Sequence, residues 1–157
     1  MNYTVFEENV LNSDPLYGTQ THMERTIRTA TDSDAGIDTY NNLLSPRFVS
    51  CSAEAQTLTL GFSCKPWMLN PHGIIHGGII ASAFDLTMGM LTRYCGQLGS
   101  CSTLHLDVQY MRPVLYEGEM LVTAKAEKIG KRVCFMSAVM RPDPEGDPLA
   151  MATAQFM

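Results

Sequence analysis

From Gly78 to about Tyr94 the sequence is apolar around almost the whole circumference of a helix, and few architectures can accommodate such a segment. At ~100° per residue, Ile79, Ile80, Ala83, Phe84, Leu86, Met90, Leu91 and Tyr94 cover a broad face, while Gly78, Ser82, Asp85 and Gly89 fall on a narrow opposite stripe. A helix of this kind is expected to be buried nearly all round, and the small residues of the stripe would let another backbone come close. No stretch reaches the ~20 unbroken apolar residues of a membrane span, so the rest of the chain must provide the cover.

What surrounds the helix alternates with period two, the signature of half-buried strands. Phe48 to Ala53 and Thr57 to Phe62 read as a hairpin turning at Glu54-Ala55-Gln56. A loop with Pro66, Asn70, Pro71 and Gly73 leads to the helix, and strands follow at 103–110, 119–129, 132–141 and 149–156. The fold class is therefore α+β: an antiparallel sheet of about six strands wrapped around one long central helix. The four late strands, joined by short turns, are expected to form a meander.

Ahead of the sheet, residues 1–18 carry the turn formers Asn12-Ser13-Asp14-Pro15 and should be ordered only where they dock. Met23, Ile27 and Ala30 recur at helical spacing in a segment from Thr19 to about Tyr40, interrupted at Asp32-Ser33-Asp34-Ala35-Gly36. Residues 1–42 read as an acidic, partly helical N-terminal leader and 43–157 as the domain proper. Residues 1–46 hold seven acids and two bases, which accounts for the whole net charge of -5, since the remainder has nine of each. This balance lacks the basic field that nucleic acid or an anionic membrane surface needs. Five cysteines without a C-x-x-C pair suggest reduced, mostly buried thiols, and with no signal-peptide pattern at the start the expected location is the cytoplasm.

Asn70-Pro71-His72-Gly73-Ile74-Ile75-His76-Gly77-Gly78 runs straight into the helix that carries Asp85. Glycines at a helix start expose backbone N–H groups where the dipole favours negative charge, so this end could stabilise an oxyanion; equally, it could be only a tight turn. His72 and His76 have the i, i+4 spacing of a zinc helix, but Pro71, Gly73 and Gly77 oppose a helix there, and no metal is expected. Gly77 and Asp85 are eight residues apart. At ~1.5 Å rise per residue that is about 12 Å along the axis, too far for both to act on one carbon within one chain. Either one of them is not catalytic or two chains cooperate through antiparallel helices.

The run from Asn70 through His76-Gly77-Gly78 to Asp85, followed by Thr103 to Pro113 with its Y-x-R-P ending and by Gly130-Lys131-Arg132, resembles the PaaI-like hotdog-fold acyl-CoA thioesterases of the 4-hydroxybenzoyl-CoA thioesterase-like superfamily. The likeness extends from about Leu43 to the C-terminus. It implies a hotdog homodimer, paired again in many members into a homotetramer, that hydrolyses an acyl-CoA thioester to free acid and CoA. Asp85 would activate water or attack directly, and the Gly77 N–H would stabilise the oxyanion. Asn70 would orient the water or the thioester, His76 would support the carbonyl site, and Thr103 matches a Ser or Thr near the reacting centre. Strand parity, however, puts Thr103 with His105, Asp107 and Gln109 on a mostly polar face, so it must lie at the sheet edge or an interface to reach the site.

The resemblance implies no cofactor beyond the CoA of the substrate, whose phosphates need local positive charge. Lys125, Lys128, Lys131 and Arg132 against Glu127 make residues 125–132 net +3, a candidate CoA-binding turn or simply a solvated hairpin tip; Arg112 is a further candidate, or equally a structural residue at the strand end. The competing readings are a non-catalytic acyl-CoA binder or sensor and a hotdog dehydratase, for which no matching His/Glu or Asp/His pattern is present. Partners are confined to the acyl-CoA and further copies of the chain.

Overall fold

The computed structural model of the chain describes residues 14–32 and 39–157. These form α1 (Gln20–Asp32), α2 (Tyr40–Leu44), β1 (Arg47–Ser52), β2 (Thr57–Ser63), a 3₁₀ turn at Pro66–Met68, α3 (Gly77–Gly96), β3 (Thr103–Tyr110), β4 (Glu119–Ile129), β5 (Cys134–Arg141) and β6 (Ala150–Phe156). The leader segments 1–13 and 33–38 lie outside the described residues.

The strands make one antiparallel six-stranded sheet in the order β1-β2-β4-β5-β6-β3, packed against α3. The expected architecture is present, but the meander is not: β4, β5 and β6 follow one another, whereas β3 pairs only with β6, at the far edge. The reason lies in the connection after β3. Ile75 N donates to the Val114 carbonyl at 2.9 Å and Ile74 bridges Leu115, so this segment is tied to the loop before α3 and cannot close a β3–β4 hairpin.

Alternation sets the core. Leu58, Leu60 and Phe62 of β2, Met120, Val122 and Ala124 of β4, and Met136 and Met140 of β5 are buried on the helix side. Burying each large side chain stabilises the fold by roughly 1.5–3 kcal/mol. Opposite them β6 supplies Ala150, Ala152 and Ala154, small enough to let α3 approach closely. From the leader, Met23 and Ile27 of α1 are fully buried in this same core. Arg47 of β1 reaches across β2 to pair with Glu119 of β4 at 2.7 Å, and Gly61 makes this possible: a Cβ there would collide with the Glu119 carboxylate.

The expectation that α3 is buried nearly all round needs correcting. Ile80, Ala83, Phe84, Met88 and Leu91 are buried, but Gly78 is exposed and Ile79, Ser82, Asp85, Leu86, Gly89 and Met90 are only half-buried. The sheet curls over one side of the helix, and the single chain leaves the other side open. Among the described residues no helix is long and apolar enough to cross a membrane.

Candidate active site

The site starts at the loop before α3. The Asn70 side-chain oxygen accepts from His72 N at 2.9 Å and Ile74 N at 3.4 Å, while its backbone N–H donates to the Ile74 carbonyl at 2.8 Å. This Asx-type closure folds the loop into a compact turn and commits the carboxamide oxygen of Asn70 to the backbone. His76 N then donates to the Met68 carbonyl at 2.8 Å, which fixes where the helix begins.

His76 caps α3: its Nδ1 accepts from Gly78 N at 2.9 Å. Acceptance at Nδ1 puts the proton of the neutral imidazole on Nε2. Ile79 and Ile80 both direct their N–H groups at the His76 carbonyl, at 2.9 and 3.3 Å. Of the first donors of the helix, the N–H of Gly77 alone meets no acceptor among the described residues. His72, the other member of the zinc-like spacing, sits exposed on the loop, and no group of three metal-ligating side chains is assembled among the described residues.

Asp85 lies two turns further along the open face of α3, and its carboxylate accepts from the Thr103 hydroxyl at 2.7 Å. This contact overturns the expected parity of β3. Thr103 pairs with Phe156 and His105 with Gln155, so one step on β6 matches two on β3 and Leu104 is an extra, bulged residue. Directly opposed residues point to the same face, and Phe156 is buried against α3, so Thr103 faces the helix together with Leu106 and Val108. Burial pushes the thiol of nearby Cys101 up, which keeps it protonated; the site offers a carboxylate rather than a thiolate.

Two contributors were given no role from the sequence, although Tyr110 is the tyrosine of the Y-x-R-P strand ending. Tyr110, at the other end of β3, donates from its hydroxyl to the Gly77 carbonyl at 3.0 Å. Tyr40 of α2 meets the Ser82 hydroxyl at 2.9 Å, and Ser82 donates to the Gly78 carbonyl at 2.8 Å. The alternation of Leu106, Val108 and Tyr110 on one face could have pointed to Tyr110; nothing in the local pattern marks Tyr40.

The four CoA candidates are not brought together within one chain. Arg112 follows β3 at the Tyr110 end and forms an ion pair with Asp147 at 2.6 Å, a hydrogen bond that holds the Asp147 carboxyl below its usual range. Lys128, Lys131 and Arg132 lie around the β4–β5 turn, at the end of the sheet where Ile129, Cys134, Phe156 and Thr103 are neighbours. The two ends of an eight-residue strand are roughly 23 Å apart at ~3.3 Å per residue. Lys125 is paired with Glu127 at 3.3 Å, so the free charge of the turn belongs to Lys128, Lys131 and Arg132 among the described residues.

The chain as a whole is similar to known proteins. The family model for the thioesterase superfamily matches residues 72–148, the stretch from the loop through α3 to the approach of β6. The chain is 32% identical over 96 residues to acyl-coenzyme A thioesterase THEM4 of Xenopus laevis, covering 61% of this chain and 42% of that protein. It is 27% identical over 104 residues to the Bos taurus protein of that name, covering 66% and 41%. The chain thus spans about two fifths of the length of these curated relatives. Among solved structures, a phenylacetic acid degradation-related protein of Ralstonia eutropha superimposes with a TM-score of 0.70 at 26% identity, covering 82% of this chain and 96% of that one. Zebrafish thioesterase superfamily member 2 shares the fold at a TM-score of 0.75 and 18% identity, covering 83% and 94%.

Proposed function

The chain belongs to the thioesterase superfamily of hotdog-fold proteins, and from that premise we propose that it hydrolyses an acyl-CoA thioester to the free acid and CoA. The observation that carries the reading is the Asp85 carboxylate held by Thr103 on the open face of α3, on the same helix as the unpartnered Gly77 N–H. A thioester carbonyl is weakly stabilised by resonance, so one polarising N–H and a carboxylate acting on water, or attacking directly, suffice to drive addition. Water adds to the acyl carbon as Asp85 takes its proton, the carbon–sulfur bond breaks, and the CoA thiolate takes up that proton; on the direct route the Asp85–acyl anhydride forms first with loss of the CoA thiolate, and water then hydrolyses it to the free acid. Asn70 and His76 hold the loop and cap that aim Gly77, and the His76 Nε2–H is a second donor for the carbonyl region.

The reaction is proposed to occur between two copies of the chain. Gly77 and Asp85 lie on one unbroken helix about 12 Å apart along its axis, so a single chain cannot bring both to one carbon. A two-fold pair joined through the free edge of β3 sets the α3 helices antiparallel and faces Gly77 of one protomer with Asp85 of the partner subunit. The same pairing lays the Tyr110 end of one β3 beside the Thr103 end of the other. Arg112 and the partner's basic turn at Lys128, Lys131 and Arg132 then share one end of the joined sheet, where the phosphates of CoA can meet both. Further pairing into a homotetramer and residence in the cytoplasm complete the proposal.

The test is CoA release from a panel of acyl-CoAs by wild type and Asp85→Asn. The substitution is expected to lower turnover by about 10³-fold, within the range for loss of a general base, with the fold intact by circular dichroism. Equal rates in the two proteins would sink the assignment. Tight CoA binding by a wild type that releases none would make the chain an acyl-CoA binder on the same fold.

A further inference from the structure

We propose that Tyr110 is a positioning residue for the proposed oxyanion site, one that holds the first peptides of α3 in the orientation that aims the Gly77 N–H. The inference rests on the thioesterase reading given above and extends it to a residue that touches no substrate. Tyr110 approaches Gly77 in two ways at once. Its hydroxyl donates to the Gly77 carbonyl at 3.0 Å, and its ring lies 3.4 Å from the point where a Cβ on Gly77 would stand.

The peptide between Gly77 and Gly78 is consequently held at both ends. Its carbonyl receives the Tyr110 hydroxyl, and its N–H is taken by His76 Nδ1 at 2.9 Å. The preceding peptide carries the Gly77 N–H itself, and its carbonyl receives two helix donors at 2.9 and 3.3 Å. A pair of glycines is the most pliable backbone available, since neither Cβ restricts φ or ψ. A donor on such a backbone keeps a fixed aim only if side chains supply the restraint that the glycines lack. His76 and Tyr110 supply it from opposite sides, one from the loop and one from the end of β3.

A Cβ on Gly77 would meet the Tyr110 ring at 3.4 Å, an ordinary van der Waals contact, so the ring lies directly against this residue. The arrangement also couples the two ends of β3 to the two parts of the site: Thr103 holds the carboxylate and Tyr110 holds the donor peptide. Because a misplacement of about 1 Å can cost on the order of 10²-fold in rate, loosening this peptide should be felt in the chemical step rather than in substrate binding.

Tyr110→Phe is the discriminating variant, since it keeps the ring and removes only the hydroxyl. With the acyl-CoA panel, kcat is expected to fall about tenfold while KM stays within about twofold. A second readout is the infrared carbonyl stretch of an acyl-CoA bound to Asp85→Asn, where turnover is blocked. Binding should shift the stretch to lower frequency, and adding Tyr110→Phe should remove a large part of that shift, a change that a lower fraction of folded protein would not produce. Unchanged kcat in Tyr110→Phe, or an unchanged carbonyl shift in the double variant, overturns the inference while leaving the thioesterase reading in place. A wild type that hydrolyses none of the panel overturns that reading first, and the role of Tyr110 falls with it.

Discussion

The sheet has two edge strands, β1 and β3, and the chain finishes one of them and leaves the other open. Along β1 the helix α1 lies against the strand, and Gln20 takes the place of a neighbouring strand: its Nε2 donates to the Cys51 carbonyl at 2.8 Å and its Oε1 accepts from Ala53 N at 2.9 Å. A carbonyl and an N–H two residues apart are what an adjacent strand would engage. A register shift between Phe48 and Ser50 distorts the edge further, and the Arg28 guanidinium sits 4.1 Å over the Phe48 ring. These are devices that prevent edge-to-edge pairing. β3 also carries a bulge, at Leu104, but among the described residues no side chain takes up its outer backbone groups as Gln20 does on β1; its backbone pairs with β6 alone, and Leu104, Tyr110 and Met111 stand exposed at its ends. The difference separates the edge that the chain closes itself from the edge at which the proposed pairing would join two copies: the proposed catalytic groups Asp85 and Thr103 lie by the open edge, and none lies by the closed one.

The sharpest way to break this contrast is to place charge on the open edge. Leu104 and Met111 are 49% and 55% exposed, so Leu104→Glu combined with Met111→Glu should leave the fold of a single chain intact by circular dichroism. If β3 pairs with a second copy, the double variant should sediment as a monomer and lose at least about a hundredfold in turnover, because each site would lack the partner's half. A double variant that stays associated and active would show that the open edge is not the seam.

The closed edge should respond in the opposite sense. Gln20→Ala removes two backbone hydrogen bonds at a partly hydrated position, and unfolding in denaturant should register a loss of about 1 kcal/mol. Turnover per folded molecule should remain within about twofold, since α1 touches neither Asp85 nor the Gly77 loop. A fall in kcat as large as that produced at β3 would erase the distinction between the edges.

How far this contrast could be read from sequence depends on what alternation encodes. Period two states which face a residue occupies, so the buried positions of β2, β4, β5 and β6 were legible, whereas the open side of α3 was not: Ile79, Leu86 and Met90 read as buried and are only half-buried. It does not state which strand lies beside which, so the place of β3 at the far edge emerged only from the ties between Ile75 and Val114 that hold its exit. Nor does it survive an inserted residue. The bulge at Leu104 reverses the side on which Thr103 falls, and simple alternation therefore assigns it to the wrong face, away from the Asp85 carboxylate that it meets. Arg112 and the basic turn were read as separate candidates for one ligand, because local charge is visible in sequence, and the roughly 23 Å between the ends of the sheet is not. Gln20 gives no signal at all, because a polar residue in the first turn of a surface helix is unremarked until the strand it serves is in view.

The smallest effect concerns how the covering layer on the β1 side is fastened to α3, and it should show itself through pH. His22 of α1, 4% exposed, places Nδ1 3.1 Å from the Tyr94 hydroxyl and Nε2 3.3 Å from the Asp14 carboxylate. Tyr17 stacks on Tyr94 with ring centroids 5.4 Å apart and donates to the Tyr94 carbonyl at 2.7 Å. Burial pushes the Tyr94 hydroxyl up from 10.0 to about 12. Below pH 10 folded and unfolded chains both keep this proton, whereas between pH 10 and about 12 the unfolded chain gives it up and the folded chain does not, so stability falls as pH rises through that window. Tyr94→Phe should cost about 0.5–1 kcal/mol at neutral pH through the lost hydrogen bond, with no change in turnover. Because phenylalanine has no proton to lose, the stability gap between wild type and variant should stay constant up to pH 10, then close and change sign before pH 12, since each pKa unit is worth about 1.4 kcal/mol. The half-buried Cys95 thiol, which desolvation pushes up to about 11, adds a fall of its own from pH 9, but it is common to both proteins and cancels in the difference. Denaturant titrations at pH 8, 10 and 11.5 measure that difference, and parallel curves across the whole range would mean that the Tyr94 hydroxyl does not fasten α1 to the helix beneath it.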